Sequence, residues 1–206
     1  MKKQLLLSVI TGLLLQGCNN YIKVTRTVSK TLVVPFQIDQ AGNFQSNSSI
    51  TGKTVIDLFD PDFFRTDRAH EIERFDVKSV QISGALNPQR NTATSVTITA
   101  GVVLGLSAAP LINEGKMVRL ADNSLAFEAS TGSSTFLNKA GVEQIQKTIN
   151  HYFTNLATEP LSIVLLGKLP ANQRLVGTIT ITVDASITYS RCEQWIQLGP
   201  FSPDEC

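Results

Sequence analysis

The chain has 206 residues, with 18 lysines and arginines against 17 aspartates and glutamates, and 42% of its residues are hydrophobic. This balance, a formal net charge of +1, lacks the concentrated basic surface that nucleic-acid binding requires, so we expect no nucleic-acid partner. The length suits one domain whose core forms without a metal ion or many disulfides, and we expect no cofactor and no metal site.

The first 17 residues have the pattern of an export signal. Lys2 and Lys3 precede an apolar run of 11 residues, Leu5 to Leu15. Because a helix that spans a bilayer needs about 20 apolar residues, this run is too short to be a permanent membrane anchor. The pattern predicts a signal peptide over residues 1–17 that is removed from the mature protein.

The four residues Leu15-Gln16-Gly17-Cys18 resemble the lipobox of bacterial lipoproteins. The resemblance implies that the thiol of Cys18 carries a diacylglycerol, that the chain is cut before Cys18, and that fatty acyl groups such as palmitate hold the protein on the membrane. Asn19 stands where an aspartate would favour the inner membrane, so the resemblance also implies a location at the outer membrane. There the domain would face the periplasm or the cell surface.

Cleavage before Cys18 removes 17 of the 206 residues, including Lys2 and Lys3, which leaves 189 residues and changes the formal charge from +1 to −1. We expect residues 18–206 to form a single lipid-anchored β-rich domain, with residues 18–30 acting partly as a tether. The sequence contains no internal repeat and no long glycine-, serine- or proline-rich linker, which favours one domain over two.

Short segments that alternate apolar and polar residues dominate the mature chain, as is typical of half-buried β-strands. Together with the turn-forming stretches between them, they predict a mainly β fold, an antiparallel β-sandwich, with a barrel as the alternative. Pro35 argues against a central position for its strand, because proline cannot donate to a ladder. The predicted strands are YIKVTRTV, TLVVPFQI, KTVIDLF, DVKSVQIS, TSVTITAGVV, MVRLA, LAFEA, PLSIVLLG and RLVGTITITVDASITYS, and the predicted turns include DQAGNFQSNSS, GALNPQRNTAT and LPANQR.

Charged residues and phenylalanines crowd the segment between residues 57 and 75. Its carboxylates are of the kind that bind calcium, but the spacing lacks the glycine and final glutamate of an EF-hand loop, and arginines lie among them. We therefore favour a solvated loop with ion pairs, and a short helix over DRAHEIERF, with Asp67 as its cap, is a further candidate. The phenylalanines indicate either a hydrophobic plug beneath the loop or a partner surface, for which the candidates are Phe59, Phe63, Phe64, Arg65, Arg68 and Phe75.

The segment from Gly101 to Ile112 is almost uninterruptedly apolar. Such a segment is typical of a strand that is covered on both faces. The alternative is that one of its faces lines a lipid-sized cavity, in which the protein would carry acyl chains. We favour the core interpretation, because protein interiors are usually filled.

One segment has the helical period instead. Apolar residues recur at intervals of three and four between Val142 and Leu156, which predicts an amphipathic helix from Lys139 to Ala157. Asn138 or a preceding serine is available as its cap, and Pro160 lies beyond its end. We expect this single helix to pack against the sheets.

The remaining two cysteines, Cys192 and Cys206, form an even pair in a compartment that permits oxidation. A disulfide between them would close a 15-residue loop and would stabilise the fold by about 3 kcal/mol. A metal site is the poorer interpretation, because two cysteines fall short of the usual four ligands.

The sequence offers no motif for catalysis. It contains no G-x-S-x-G, P-loop or G-x-G-x-x-G pattern, and its two histidines, His70 and His151, have no metal-binding spacing. The leading hypothesis is therefore a non-catalytic binding or envelope-structural module that contacts the membrane through its lipid and another envelope protein through its surface. A carrier of hydrophobic ligands is the second hypothesis, and a hydrolase with a site that sequence does not locate is the third.

Overall fold

The structure is a computed structural model, and it describes residues 21–59, 70–128, 137–155 and 159–194. These residues form eight β-strands and two α-helices. In chain order they are β1 (Tyr21–Ala41), β2 (Asn43–Ile50), α1 (Gly52–Phe59), β3 (His70–Leu86), β4 (Ser95–Leu104), β5 (Ser107–Arg119), β6 (Ser124–Phe127), α2 (Lys139–Asn155), β7 (Leu161–Lys168) and β8 (Arg174–Gln194).

The eight strands form one sheet in the order β1-β8-β3-β6-β5-β4-β7-β2, and all of its neighbours are antiparallel. β1 and β2 are its two edges, yet only Gly42 separates them along the chain, so the sheet curls until its edges meet at this residue. The short β6 joins a three-stranded part, β1-β8-β3, to a four-stranded part, β5-β4-β7-β2. The prediction of a mainly β, antiparallel, sandwich-like fold is confirmed.

The end of the molecule at Gly42 is closed by turns, and we call it the corner end. Gly42 has a φ of 73°, a left-handed conformation that glycine adopts without strain, and the chain passes there from one edge of the sheet to the other. Three loops at the same end reverse the direction of the chain, namely 87–94, 120–123 and 169–173.

The opposite end, which we call the arm end, contains Tyr21 and Gln194. β1 and β8 pair over all 21 of their residues, from Tyr21 with Gln194 to Ala41 with Arg174. Because β2 and β7 each have only eight residues, the three-stranded part extends well beyond the four-stranded part. Residues 21–30, which we expected to act partly as a tether, therefore lie in β1.

Both helices lie between the two parts of the sheet and help to fill the core. α1 packs against β1 and α2, and α2 packs against β3 and β5. The apolar face of α2 is buried through Ile145, Ile149 and Tyr152, as the helical period predicted. The Oδ1 atom of Asn138 accepts a hydrogen bond from the backbone N–H of Ala140 at 2.9 Å, which confirms Asn138 as the cap. Neither described helix is long and apolar enough to cross a membrane.

Three local predictions were wrong. KTVIDLF is not a strand but helix α1, whose start is capped by the Thr51 hydroxyl, which accepts a hydrogen bond from the N–H of Thr54 at 3.2 Å. Most of the predicted turn DQAGNFQSNSS is strand, because it contains the end of β1 and most of β2. The described part of DRAHEIERF, residues 70–75, is the start of β3 rather than a helix.

Candidate functional site

The partner surface predicted from the phenylalanine cluster is described only in part. Phe63, Phe64, Arg65 and Arg68 lie outside the described residues, and Phe59 is the last residue of α1. Phe75 belongs to β3 and is only 1% exposed, because it packs on the inner face of the sheet. Its side chain therefore does not form part of an exposed surface. The loop that a hydrophobic plug would lie beneath is outside the described residues.

The cysteines and histidines fall mostly at or beyond the limits of the described residues. Cys18 and Cys206 lie outside them. Cys192 is in β8, where its backbone pairs with Lys23 of β1. His70 is the first residue of β3, and His151 is exposed on α2. Among the described residues, no group of three or more histidine, cysteine, aspartate or glutamate side chains could hold a metal ion.

The apolar segment from Gly101 to Ile112 is a hairpin and not a single strand. Val102, Leu111 and Ile112 are buried, in agreement with a role in the core. The turn between β4 and β5 departs from this pattern, because Leu106 at its tip is fully exposed. Apolar character at the tip therefore does not reflect burial in this chain.

A groove on the outer face of the four-stranded part, at the corner end, is a candidate binding site. Three hydroxyl residues alternate along β4 and point outward: Ser95, Thr97 and Thr99. The residues between them, Val96 and Ile98, are fully buried, and successive side chains of a strand point to opposite faces. Residues from β2, β5 and β7 complete a groove of about 590 Å³. We call it the lysine groove, and its polar lining comprises Asn43, Ser95, Thr97, Thr99, Glu114, Lys116 and Lys168.

The charges of the lysine groove are only partly compensated. The ammonium group of Lys116 lies 3.0 Å from a carboxylate oxygen of Glu128. Lys168 is exposed, and it makes no ion pair with any described residue. Leu166, at 45% exposure, adds an apolar surface beside it. Hydroxyl groups can both donate and accept hydrogen bonds, and the lining also contains the carboxylate of Glu114, so the groove can bind a polar ligand with groups of either charge.

A second cleft at the corner end, of about 460 Å³, contains an ion-pair cluster. Asp39 of β1 lies 2.7 Å from the guanidinium nitrogens of both Arg90 and Arg174. The hydrogen bond from Arg174 is the main cause that lowers the pKa of Asp39. Because one carboxylate holds two arginines, the cluster ties the edge strand β1 to loop 87–94 and to β8. We interpret it as a structural clamp.

The outer face of the three-stranded part carries rows of hydroxyl side chains that bond across the strands. The hydroxyl oxygens of Thr27 and Thr188 lie 3.0 Å apart. Farther along, Thr31 donates to Asp184 at 2.7 Å, and Ser79 donates to the other oxygen of the same carboxylate at 2.6 Å. These bonds from Ser79 and Thr31 lower the pKa of Asp184.

Sequence reasoning missed both clefts. The lysine groove draws its residues from four strands, and the Asp39 clamp joins residues that are 51 and 135 positions apart. The only available signal was the alternation of TSVTIT, which places its hydroxyl residues on one face of a strand.

Comparisons with known proteins assign no family to the chain. No family model matches it, and no curated protein matches it. Among solved structures, it is similar to a chain from Desmodium yellow mottle tymovirus, with 10% sequence identity and a TM-score of 0.30 over 84% of this chain and 92% of that chain. A likeness this weak supports no conclusion about function.

Proposed function

We propose that the protein is a lipoprotein of the bacterial outer membrane that acts as a non-catalytic binding or structural module of the cell envelope. Cys18 carries the lipid, a disulfide joins Cys192 to Cys206, and the domain faces the periplasm or the cell surface. The lysine groove is the surface that engages another envelope component.

The observation that carries this proposal is the position of the clefts relative to the predicted anchor. Tyr21, the first residue of β1, is only three peptide units from Cys18, a reach of at most about 11 Å. The arm end of the sheet is therefore held close to any membrane in which the lipid is embedded. Both clefts lie at the corner end, separated from Tyr21 by most of the length of β1.

The length of β1 sets how far the clefts stand from the membrane. Asp39 follows Tyr21 by 18 residues in a strand without a register shift, and a strand rises about 3.3 Å per residue. The corner end is thus up to about 60 Å from the arm end, which lies beside the lipid. A module of this shape suits contact with a component beyond the membrane surface better than chemistry on the membrane itself.

The two other hypotheses remain predictions. Both described clefts are open and include charged side chains in their linings, so neither is the enclosed apolar cavity that a carrier of acyl chains needs. Co-purification of lipid with the native protein would favour the carrier. Reaction with an active-site-directed probe would favour the hydrolase.

The anchor is tested by the intact mass of the protein extracted from membranes of a bacterial host without reducing agent. We expect the mass of residues 18–206 plus acyl groups, less two hydrogens for the disulfide. The Cys18→Ala variant, which cannot be lipidated, is the control. An unmodified Cys18 in the wild-type protein would refute the proposed lipid anchor and the location that depends on it.

The binding surface is tested by photo-crosslinking in intact outer membranes. A crosslinking side chain at Thr97, inside the lysine groove, should capture an envelope component. The matched control carries the same side chain at Gln81, which is exposed on the outer face of β3. Lys168→Glu should weaken the capture at Thr97. Equal capture at Thr97 and Gln81 would eliminate the groove as the engaged surface.

A further inference from the structure

β1 is a long edge strand with one unpaired side. It pairs with β8 over its whole length, and no described strand pairs with its other side. An edge strand presents a row of unpaired N–H and C=O groups to which another extended chain can add. The nine residues from Thr25 to Val33 contain no proline, and their pairing with β8 has no bulge.

Pro35 establishes which backbone groups of β1 point toward the open side. Proline has no N–H to donate, so it fits an edge strand where its nitrogen points away from the paired neighbour. Because the register between β1 and β8 is continuous, every second residue has the orientation of Pro35. The N–H and C=O groups of Thr25, Thr27, Ser29, Thr31 and Val33 therefore face the open side.

The side chains of three of these residues are held by bonds to the neighbouring strands. The hydroxyls of Thr27 and Thr31 bond inward to residues of β8, and that of Thr25 reaches Glu73 of β3 at 3.5 Å. The bonds hold these side chains over the sheet, so the strand is ordered before any partner arrives. An ordered edge lowers the entropic cost of binding.

The neighbouring side chains define the chemistry of the partner strand. Lys30 is exposed on the inner face and makes no ion pair with a described residue. Val28 is half-buried beside it, and Val33 on the outer face is 57% exposed. In a cross-strand pair an acidic residue stabilises a lysine directly opposite, and an apolar residue stabilises a valine.

A second copy of the chain is a poor occupant of this edge. From Tyr21 to Ile38, β1 carries three basic residues and no acidic one. In a two-fold pairing of this segment with itself, Lys30 would therefore meet no acidic residue, and in the antiparallel pairing centred on Val28 it would lie opposite Arg26 of the other copy. Like charges placed directly opposite destabilise a sheet.

We propose that the open edge of β1, from Thr25 to Val33, binds an extended acidic segment of another protein by β-strand addition, with an acidic residue opposite Lys30 and apolar residues opposite Val28 and Val33. The proposal rests on the binding role proposed above for its biological meaning. It requires neither the lysine groove nor the lipid.

The test measures binding of a dye-labelled, capped nine-residue peptide to the full chain in detergent by fluorescence anisotropy. The peptide has glutamate opposite Lys30, valine opposite Val28 and Val33, and threonine at most other positions, and a second peptide has lysine in place of glutamate. We expect the wild-type protein to prefer the acidic peptide at least tenfold. Lys30→Glu should reverse this preference without any change in the backbone.

Ser29→Pro tests the edge itself. It removes one outward N–H and places a ring where the partner would pair, whereas the ladder with β8 keeps its hydrogen bonds. We expect at least a tenfold loss of affinity, with Ser29→Ala, the matched control, within twofold of the wild-type protein. Thermal melting of each variant establishes that it is folded.

Three results would overturn the proposal. The first is the absence of acidic-peptide binding to the wild-type protein. The second is binding of the acidic peptide that persists in folded Ser29→Pro and in Lys30→Glu. The third is a wild-type dimer that Ser29→Pro converts to a monomer, which would identify a second copy as the occupant. Each of these measurements is independent of the intact mass that tests lipidation of Cys18 and of the crosslinking at Thr97. Failure of the strand-addition proposal is therefore distinguishable from failure of the proposed function.

Discussion

Gly141 near the start of α2 is the position where a single methyl group should have the clearest effect. At an open site in a helix, replacing glycine with alanine stabilises the fold by about 1 kcal/mol. At Gly141 an added Cβ would lie 2.4 Å from the carbonyl oxygen of Pro110 and 2.5 Å from the Cα of Leu111. Both atoms belong to the backbone of β5, so a side-chain rotation cannot relieve the clash.

The two effects on Gly141→Ala have opposite signs, and their magnitudes decide the result. Relief of the clash requires α2 and β5 to separate by about 1 Å, and overpacking of this kind costs about 1–3 kcal/mol. After subtraction of the gain in helix propensity, we expect a net loss of about 1 kcal/mol in the free energy of unfolding. The contact with β5 therefore outweighs the intrinsic preference of the helix for alanine.

Urea unfolding followed by circular dichroism measures this difference. The control is Lys147→Gly at an exposed position of the same helix, which should destabilise by about 0.7 kcal/mol through propensity alone. A Gly141→Ala variant that is more stable than the wild-type protein would refute the close approach of α2 to β5.

Three further predictions concern the core, a cap and a carboxylate. Tyr152→Phe removes the hydroxyl that donates to the carbonyl oxygen of Glu159 at 2.6 Å and lies 3.3 Å from that of Ile50. We expect the free energy of unfolding, measured by chemical denaturation, to fall by about 1 kcal/mol, and an unchanged midpoint would contradict these contacts. Asn138→Ala should cost about 1 kcal/mol, and Asn138→Asp, which keeps an acceptor for the Ala140 N–H, should recover most of it in thermal melting. The lowered pKa of Asp184 means that its carboxylate stabilises the folded state above about pH 4, the unfolded pKa of aspartate, and that this contribution is lost as the pH falls through the lower folded pKa. Asp184→Asn should remove that part of the acid sensitivity, and an unchanged midpoint-against-pH curve would count against the bonds from Thr31 and Ser79.

The sequence predicted those elements in which local pattern and burial agree. In β8 and β4 the alternation of threonine with isoleucine or valine matches the alternation of half-buried and buried positions. Helix α2 has a helical period and a polar cap, and Pro35 argued against a central position for its strand, which proved to be the edge strand β1. In each of these elements, the local sequence pattern was sufficient to predict the structure.

Prediction failed where tertiary contacts override local preference. The β2 strand NFQSNSSI is mostly polar, and only Phe44 and Ile50 are buried, so its pairing with β7 decides its conformation. KTVIDLF contains β-branched residues that favour strands, yet the Thr51 cap and the Lys53–Asp57 ion pair of 2.7 Å accompany a helix. The lysine groove and the Asp39 clamp depend on contacts between residues far apart in sequence, which no local pattern reports.

The pairing of β1 with β8 also determines when the protein can finish folding. β1, the first strand, pairs with β8, which comprises the last 21 residues of the described chain. The longest ladder therefore joins the two most distant parts of the described sequence. Contacts of such large sequence separation make folding slow, because the chain must close a loop of more than a hundred residues before the pairing stabilises it. In a chain that emerges N-terminus first, β1 would remain without its β8 partner until the last described residues have followed.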